Sequence, residues 1–435
     1  MNDTIFALAT PPGRSALALM RISGPRCAEV LNALGAGSLE VRKAGLRTLR
    51  TQGGEVIDQA LCVRFEGPAS FTGEDVAELS IHGGSAVVEA LTQALSALGL
   101  RPAEPGEFTR RAFENGRLDL AQAEGIADLI DAESEAQRLQ ALEQLGGRLS
   151  ERHGLWRQSL LRILALFEAE IDFPDEDVPD HVSRQTRAEI EALRASLAAA
   201  LDDGRAGERI RDGYRIALIG APNAGKSTLF NALVGRDAAI VTPLAGTTRD
   251  IIEASVDLAG YKVTFADTAG LRETADVIEA EGVSRARRWA QDAALRLWVR
   301  DPREVEDEEA RALFREGDII VLTRADLLDT PIRSGKGLWV SGATGEGIDA
   351  LREHLEERVR ADLSASEFPA ITRARHRVSL GEAHAHLGDA LAQMDHPELA
   401  GESVRLAGRA LARVTGSLGV EDVLGEVFST FCIGK

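Results

Sequence analysis

Gly220-Ala-Pro-Asn223-Ala224-Gly225-Lys226-Ser227 has the residue types and spacing of a loop that holds phosphate. Its glycines let backbone N–H groups wrap an anion, the Lys226 ammonium neutralises β/γ charge, and the Ser227 hydroxyl reaches Mg²⁺. That chemistry needs a strand to deliver the loop and a helix N-terminus to receive the phosphate. The apolar run Tyr214–Ile219 reads as the strand, and Thr228–Val234 reads as the start of the helix. A nucleoside triphosphate is the expected ligand, with adenine and guanine both open at this point.

Further pieces follow in the order that GTP hydrolysis requires. In the stretch Thr242-Pro243-Leu244-Ala245-Gly246-Thr247-Thr248, Thr248 is placed to close over the γ-phosphate and give Mg²⁺ a second oxygen. Asp267-Thr268-Ala269-Gly270 follows the apolar run Tyr261–Ala266. Its aspartate suits Mg²⁺ through water, and the Gly270 N–H suits the γ-phosphate. After the run Asp318–Leu322 comes Thr323-Arg324-Ala325-Asp326, where GTPases usually have Asn-Lys-x-Asp. The Asp326 carboxylate accepts both N–H groups of a guanine edge, and an unpaired carboxylate facing adenine is penalised. Arg324 is expected to lie flat over the base. Thr323 lacks an amide's reach to the ring nitrogen, and Ser341-Gly342-Ala343 has glycine where alanine is usual. Losing one or two hydrogen bonds this way weakens binding by about 1–3 kcal/mol, with guanine selection retained. Arg296 and Arg300 interrupt what should be an apolar central strand. Two readings stand: a shortened or displaced strand, or arginines snorkelling at the strand ends.

These pieces need elements to position them. Residues 1–117 alternate β-like runs (Ile5–Ala9, Leu17–Ile22, Ala60–Phe65, Val76–Ile81) with helical ones (Arg26–Leu34, Ala86–Leu98). This predicts an α+β N-terminal domain, with His82-Gly-Gly84 as a turn after its strand. Residues 118–209 and 362–435 have leucines and alanines at helical spacing, broken at the acidic Ile171–Pro179. Residues 210–361 alternate βα and predict a doubly wound, Ras-like G domain inserted into the helical domain.

At 435 residues there is room for two or three domains. A net charge of −19 excludes a generally basic nucleic-acid-binding surface, so RNA contact requires a local patch or a partner. Cys27, Cys62 and Cys432 are too scattered for a disulfide framework or a metal cluster. No apolar run suits a membrane span and the start has no export pattern, so a cytoplasmic protein is expected.

The chain resembles, end to end, the tRNA modification GTPases of the MnmE (TrmE) family. The resemblance rests on Thr10-Pro-Pro-Gly-Arg14, Arg21-Ile-Ser-Gly-Pro25, Phe71-Thr-Gly-Glu-Asp75 and Pro105-Gly-Glu-Phe-Thr109. Leu118-Asp-Leu-Ala-Gln-Ala-Glu124, Ile171-Asp-Phe-Pro174, the nucleotide motifs and the terminal Phe431-Cys-Ile-Gly-Lys435 complete it. It implies a homodimer held by a folate-binding-like N-terminal domain, working with the FAD protein MnmG in a heterotetramer or larger complex. Such pairs install an aminomethyl-type group on carbon 5 of the tRNA wobble uridine. The one-carbon unit comes from 5-formyltetrahydrofolate or a related tetrahydrofolate. Hydrolysis is stimulated when two G domains pair around K⁺.

Carried onto this sequence, the resemblance gives K⁺ the Asn223 side chain, the Thr242 and Leu244 carbonyls and Thr247. Pro243 stands where the family commonly has aspartate. Glu279 is the residue implied to orient the attacking water, with Glu281 close in sequence. The folate site falls on Arg21, Glu78, Lys435 and Arg117, the last replacing a more usual lysine. Cys432 has two readings: a small apolar residue at a helix end, or an accessible thiol on a mobile, exposed tail. Two other functions are weighed beside the main one. A GTP-dependent binding switch or folate scaffold with little hydrolysis would fit the altered base motif. A ribosome-assembly GTPase leaves the N-terminal motifs and the C-terminal tail unexplained.

Overall fold

The computed structural model describes residues 3–172, 180–203, 205–235, 252–267, 277–327, 337–364, 368–416, 421–429, 431, 433 and 434. These gather into two compact units. One holds Met1–Ala127, Gln144–Ile190 and Ala385–Lys435, and the other holds Asp128–Glu143 and Glu191–His384.

In the first unit, β1 (Ile5–Leu8), β2 (Ser15–Ser23), β3 (Gly45–Arg50), β4 (Val56–Phe65), β5 (Val76–Gly83) and β6 (Arg101–Pro102) form one sheet. Its order is β3-β4-β5-β2-β1-β6, antiparallel except at the β1–β6 edge. The two-residue period of β5 buries Leu79 and Ile81 and turns Glu78, Ser80 and His82 to the other face. Helices α1 (Cys27–Ala33) and α2 (Ser85–Ala97) cover the inner face, packing Val30, Leu31, Leu91 and Leu95 on Met20, Ile22 and Leu79. His82 belongs to β5 rather than to a turn. Asp58 accepts its backbone N–H at 2.7 Å and pairs with Nδ1 at 2.8 Å.

Helix α3 (Glu107–Glu114) has no forecast in the hydrophobic pattern, because its inner face is charged. The Arg111 guanidinium, 2% exposed, meets Glu107 at 3.0 Å, Glu74 at 3.1 Å and Asp3 at 2.9 Å. Helical texture is then realised as α4 (Leu120–Ile130), α5 (Glu135–Leu145), α6 (Arg148–Asp172), α7 (Asp180–Leu201) and α8 (Ala206–Asp212). The acidic break falls on residues 173–179, outside the described residues.

The second unit is built on β7 (Tyr214–Ile219), β8 (Ile252–Leu258), β9 (Tyr261–Asp267), β10 (Leu295–Arg300), β11 (Ile319–Leu322) and β12 (Leu338–Trp339). Their order is β12-β11-β10-β7-β9-β8, all parallel except β8 against β9. Helices α9 (Lys226–Val234) and α12 (Ile348–Leu363) pack on one face, through Leu229, Phe230, Leu351 and Leu355. Helices α10 (Val277–Asp292) and α11 (Glu308–Leu313) pack on the other, through Ala290, Ala310 and Leu313. A sheet buried on both faces explains the continuous Val, Ile and Leu runs. The strand order reverses beside β7, the switch point where open sheets of this kind bind ligands. Helices α13 (Ala374–Ala392), α14 (Pro397–Thr415) and α15 (Glu421–Ser429) follow in sequence.

Both readings of Arg296 are corrected. β10 is a full central strand between β11 and β7, and Arg296 is 3% exposed. Asp318 lies 2.6 Å from its Nε, while Nη1 donates to the Ala290 and Ala293 carbonyls at 3.1 and 3.2 Å. Asp318 also accepts the Arg296 backbone N–H at 3.0 Å, so the buried charge is paired with a buried carboxylate. Arg300, at the strand end, does lie over Trp298, 4.9 Å from the ring centroid. Replacing Asp318 by alanine strands the Arg296 cation, at an expected cost of about 3–5 kcal/mol. Urea unfolding with an unchanged slope reads that loss directly. A cost below about 1 kcal/mol would mean that the pair does not hold β10 to β11.

Candidate nucleotide site

The phosphate-type loop leaves β7 and turns into α9. Gly220 has φ +145°, and a Cβ there would meet the Val299 carbonyl at 2.1 Å. Only glycine lets the chain cross β10 so closely. The Lys226 side chain is almost fully buried, with Nζ donating to the Gly220 and Ala221 carbonyls at 2.7 and 2.8 Å. Burial pushes its pKa down, opposed by the negative charges of Asp267 and Asp307. A desolvated ammonium inside a loop of this kind is complementary to an anion.

Asp267 ends β9 and is 5% exposed. Its Oδ2 accepts the Ser227 hydroxyl at 2.5 Å, while its buried Oδ1 has no hydrogen-bond partner among the described residues. A hydroxyl beside an under-satisfied carboxylate is the oxygen donor set that a hard divalent cation takes. The residues present therefore fit Mg²⁺.

On the base side, β11 runs into a single 3₁₀ turn, Ala325–Leu327. Thr323 is buried, and its hydroxyl donates to the Ala224 carbonyl at 2.6 Å, with the Arg300 carbonyl 3.1 Å away. Its work is to brace the phosphate loop against β10, which the reading by reach alone overlooks. Arg324 donates to Asp301 Oδ2 at 2.6 Å and to the Asn223 carbonyl at 2.7 Å. Asp326 is exposed at the cleft, whereas Ala224 and Ala325 are buried behind it. A Cβ on Gly342 would lie 2.9 Å from Thr228 Cγ2 and 3.0 Å from the Thr228 carbonyl. Glycine there suits the close approach of the last loop to α9, a reason the sequence alone does not reveal.

The resulting cleft has a volume of about 660 Å³ and is lined by Asn223, Gly225, Lys226, Ser227, Thr228, Thr323, Arg324, Asp326, Ser341, Gly342 and Ala343. That volume suits a small-molecule ligand. Thr242, Pro243, Leu244, Ala245, Gly246, Thr247, Thr248, Thr268, Ala269 and Gly270 lie outside the described residues. Glu279 and Glu281 are on α10. Two acids had no forecast: Asp301, which holds Arg324, and Asp307, which caps α11 and faces the Lys226 charge. Asp301 stands just past the carboxyl end of a parallel strand, a position that is itself a signal.

A second group lies in the first unit. Arg21 on β2 opposes Glu78 on β5 and pairs with it at 2.9 Å. The Arg21 guanidinium also lies 5.3 and 5.7 Å from the Phe71 and Phe108 ring centroids. Arg117 is exposed, with its Cγ close to Gly73. The Gly434 carbonyl accepts from Arg21 at 3.4 Å, and Phe431 is buried with Phe428, Leu120 and Ala123. Phe431 and Gly434 are packed, although Ile433 is 60% exposed. Cys432 and Lys435 themselves lie outside the described residues.

Residues 4–117 match the family described as the GTP-binding protein TrmE N-terminus, and residues 120–432 match the MnmE helical domain. A tRNA modification GTPase MnmE of Caulobacter vibrioides is 57% identical, covering 100% of both chains. That of Phenylobacterium zucineum is 56% identical, again covering 100% of both. Among solved structures, the G domain of the T. maritima FeoB iron transporter aligns at 26% identity and a TM-score of 0.24. It covers 34% of this chain and 98% of its own. Full-length identity above one half, joined to the two family matches, settles the classification. The chain is a GTP hydrolase and belongs to the MnmE family of tRNA modification GTPases.

Proposed function

We propose that the chain is a K⁺-stimulated GTPase that works as a homodimer with the FAD protein MnmG. Together they add an aminomethyl-type group to carbon 5 of the tRNA wobble uridine, using a tetrahydrofolate one-carbon unit. The observation that carries the nucleotide half is the single cleft bordered by Lys226, Ser227 and Asp326, with Asp267 held on Ser227. Lys226 neutralises the β/γ-phosphates and Asp326 reads the guanine edge. Ser227 and Asp267, with Thr248, would hold Mg²⁺, which would offset the charge that develops on the phosphate oxygens. Thr268, Ala269 and Gly270 are assigned to the γ-phosphate side of the nucleotide.

Asn223 borders the cleft with φ +64°. Its amide, with Thr242, Leu244 and Thr247, is the oxygen set for K⁺, and Glu279 orients the attacking water. In the first unit, a cation–carboxylate pair beside two aromatic rings suits a flat heterocycle with an anionic tail. Arg21, Glu78, Arg117 and Lys435 are assigned to that folate, and Cys432 is assigned a catalytic role in the same transfer. The nucleic acid is engaged by a local patch or through the flavoprotein, in keeping with a net charge of −19. No helix among the described residues is long and apolar enough to cross a membrane, and a tRNA substrate points to cytoplasmic work.

Reconstitution tests this reading. The purified chain, the flavoprotein, unmodified tRNA, a tetrahydrofolate donor and GTP are expected to give the modified wobble uridine by mass spectrometry. Omitting GTP removes the product. Product formed equally without GTP, with no hydrolysis, would favour the folate scaffold instead.

A further inference from the structure

Arg324 adopts φ +59°, a backbone region that side-chain-bearing residues seldom occupy. Such a conformation persists where surrounding contacts impose it, and it then calls for a reason. Here the contacts are at the far end of the side chain. One terminal nitrogen donates to Asp301 Oδ2 at 2.6 Å and the other to the Asn223 carbonyl at 2.7 Å. Held at both tips, the planar guanidinium has a fixed orientation at the wall of the nucleotide cleft. A lysine has one charged nitrogen and lacks the planar two-pronged fork that spans these two acceptors.

Asp301 itself is 1% exposed at the side chain. Its carboxylate also accepts from Arg303, through the backbone N–H at 3.0 Å, Nε at 2.9 Å and Nη2 at 2.8 Å. Arg303 is 41% exposed and does not line the cleft. One buried carboxylate therefore organises two arginines, of which Arg324 and not Arg303 lines the cleft. We propose that Asp301 is a positioning residue for guanine-nucleotide binding, fixing Arg324 as a flat platform locked to the phosphate-loop carbonyl of Asn223. The inference rests on the cleft taking a guanine nucleotide and on nothing else in the proposed reaction.

The test is equilibrium binding of N-methylanthraniloyl-GDP with Mg²⁺ to the full-length chain, with thermal unfolding followed in parallel. Asp301→Asn and Arg324→Gln are each expected to weaken binding about tenfold, the size of one charge-assisted contact. Their combination is expected to be no weaker than either alone, because both remove one linked unit. Arg303→Gln is expected to stay within about twofold of the parent, since it leaves the Arg324 contact in place. Additive losses, or an Arg303→Gln loss equal to that of Asp301→Asn, would reduce Asp301 to a loop brace and overturn the inference. Arg324→Lys keeps the fold even if Asp301→Asn does not. It should fall between parent and Arg324→Gln, and parental affinity would also overturn the inference. Binding by the parent chain reports on the guanine site, and the variant ratios report on Asp301, so the two failures are separable.

Discussion

Asp326→Asn is expected to lower GTP affinity by about 10²–10⁴-fold and to raise affinity for xanthosine triphosphate. Asp326 is exposed at the cleft, where a carboxylate presents two acceptors to the two N–H groups of the guanine edge. Each hydrogen bond to a charged group contributes about 1.5–3 kcal/mol. An amide keeps one acceptor and turns a donor toward the guanine amino group, so one bond becomes a clash of donors. Xanthine carries a carbonyl at that position and accepts from the new amide. Competition binding with the two triphosphates reads both changes. Unchanged GTP affinity would place the base away from Asp326.

Lys226→Ala is expected to reduce kcat/KM for GTP by about 10²–10³-fold, the scale of losing one preorganised group aimed at developing charge. The fold should not suffer. Burial lowers the Lys226 pKa, so the folded state binds that proton less readily than the unfolded chain. Carrying the charge therefore costs stability at neutral pH, fully below the folded pKa, and the cost fades as pH rises toward the unfolded value. The ligand-free Lys226→Ala protein should accordingly melt no lower than its parent near neutral pH. Turnover within about tenfold of the parent would remove Lys226 from the site.

Several parts were legible because local spacing encodes them. The glycines and lysine of residues 220–227 sit between an apolar run and a helix start, and the structure has β7 and α9 there. Strand β9 leads to Asp267 and β11 to Asp326, as the apolar runs forecast. Other parts depend on contacts distant in sequence. Asp301 meets Arg324, Thr323 meets Ala224, and Arg111 meets Asp3, and no periodicity brings those pairs together. Arg296 looked like a defect because a strand pattern counts it as polar, while Asp318 and two carbonyls make it a satisfied interior charge. Helix α3 was invisible for the same reason, since Glu107 and Arg111 face inward and pair with each other and with Arg101, Glu74 and Asp3. Gly342 reads as a lost alanine until its distance to Thr228 is seen.

The most direct test is hydrolysis by the purified chain in K⁺ against Na⁺ at equal ionic strength, with GTP and ATP side by side. Strong K⁺ stimulation confined to GTP, and lost in Asn223→Ala, is the expected result. It would join the Asn223 site, Asp326 selection and G-domain pairing in one observation. Equal, near-zero rates with both nucleotides in both salts would contradict the account and leave a nucleotide-gated scaffold as the better description.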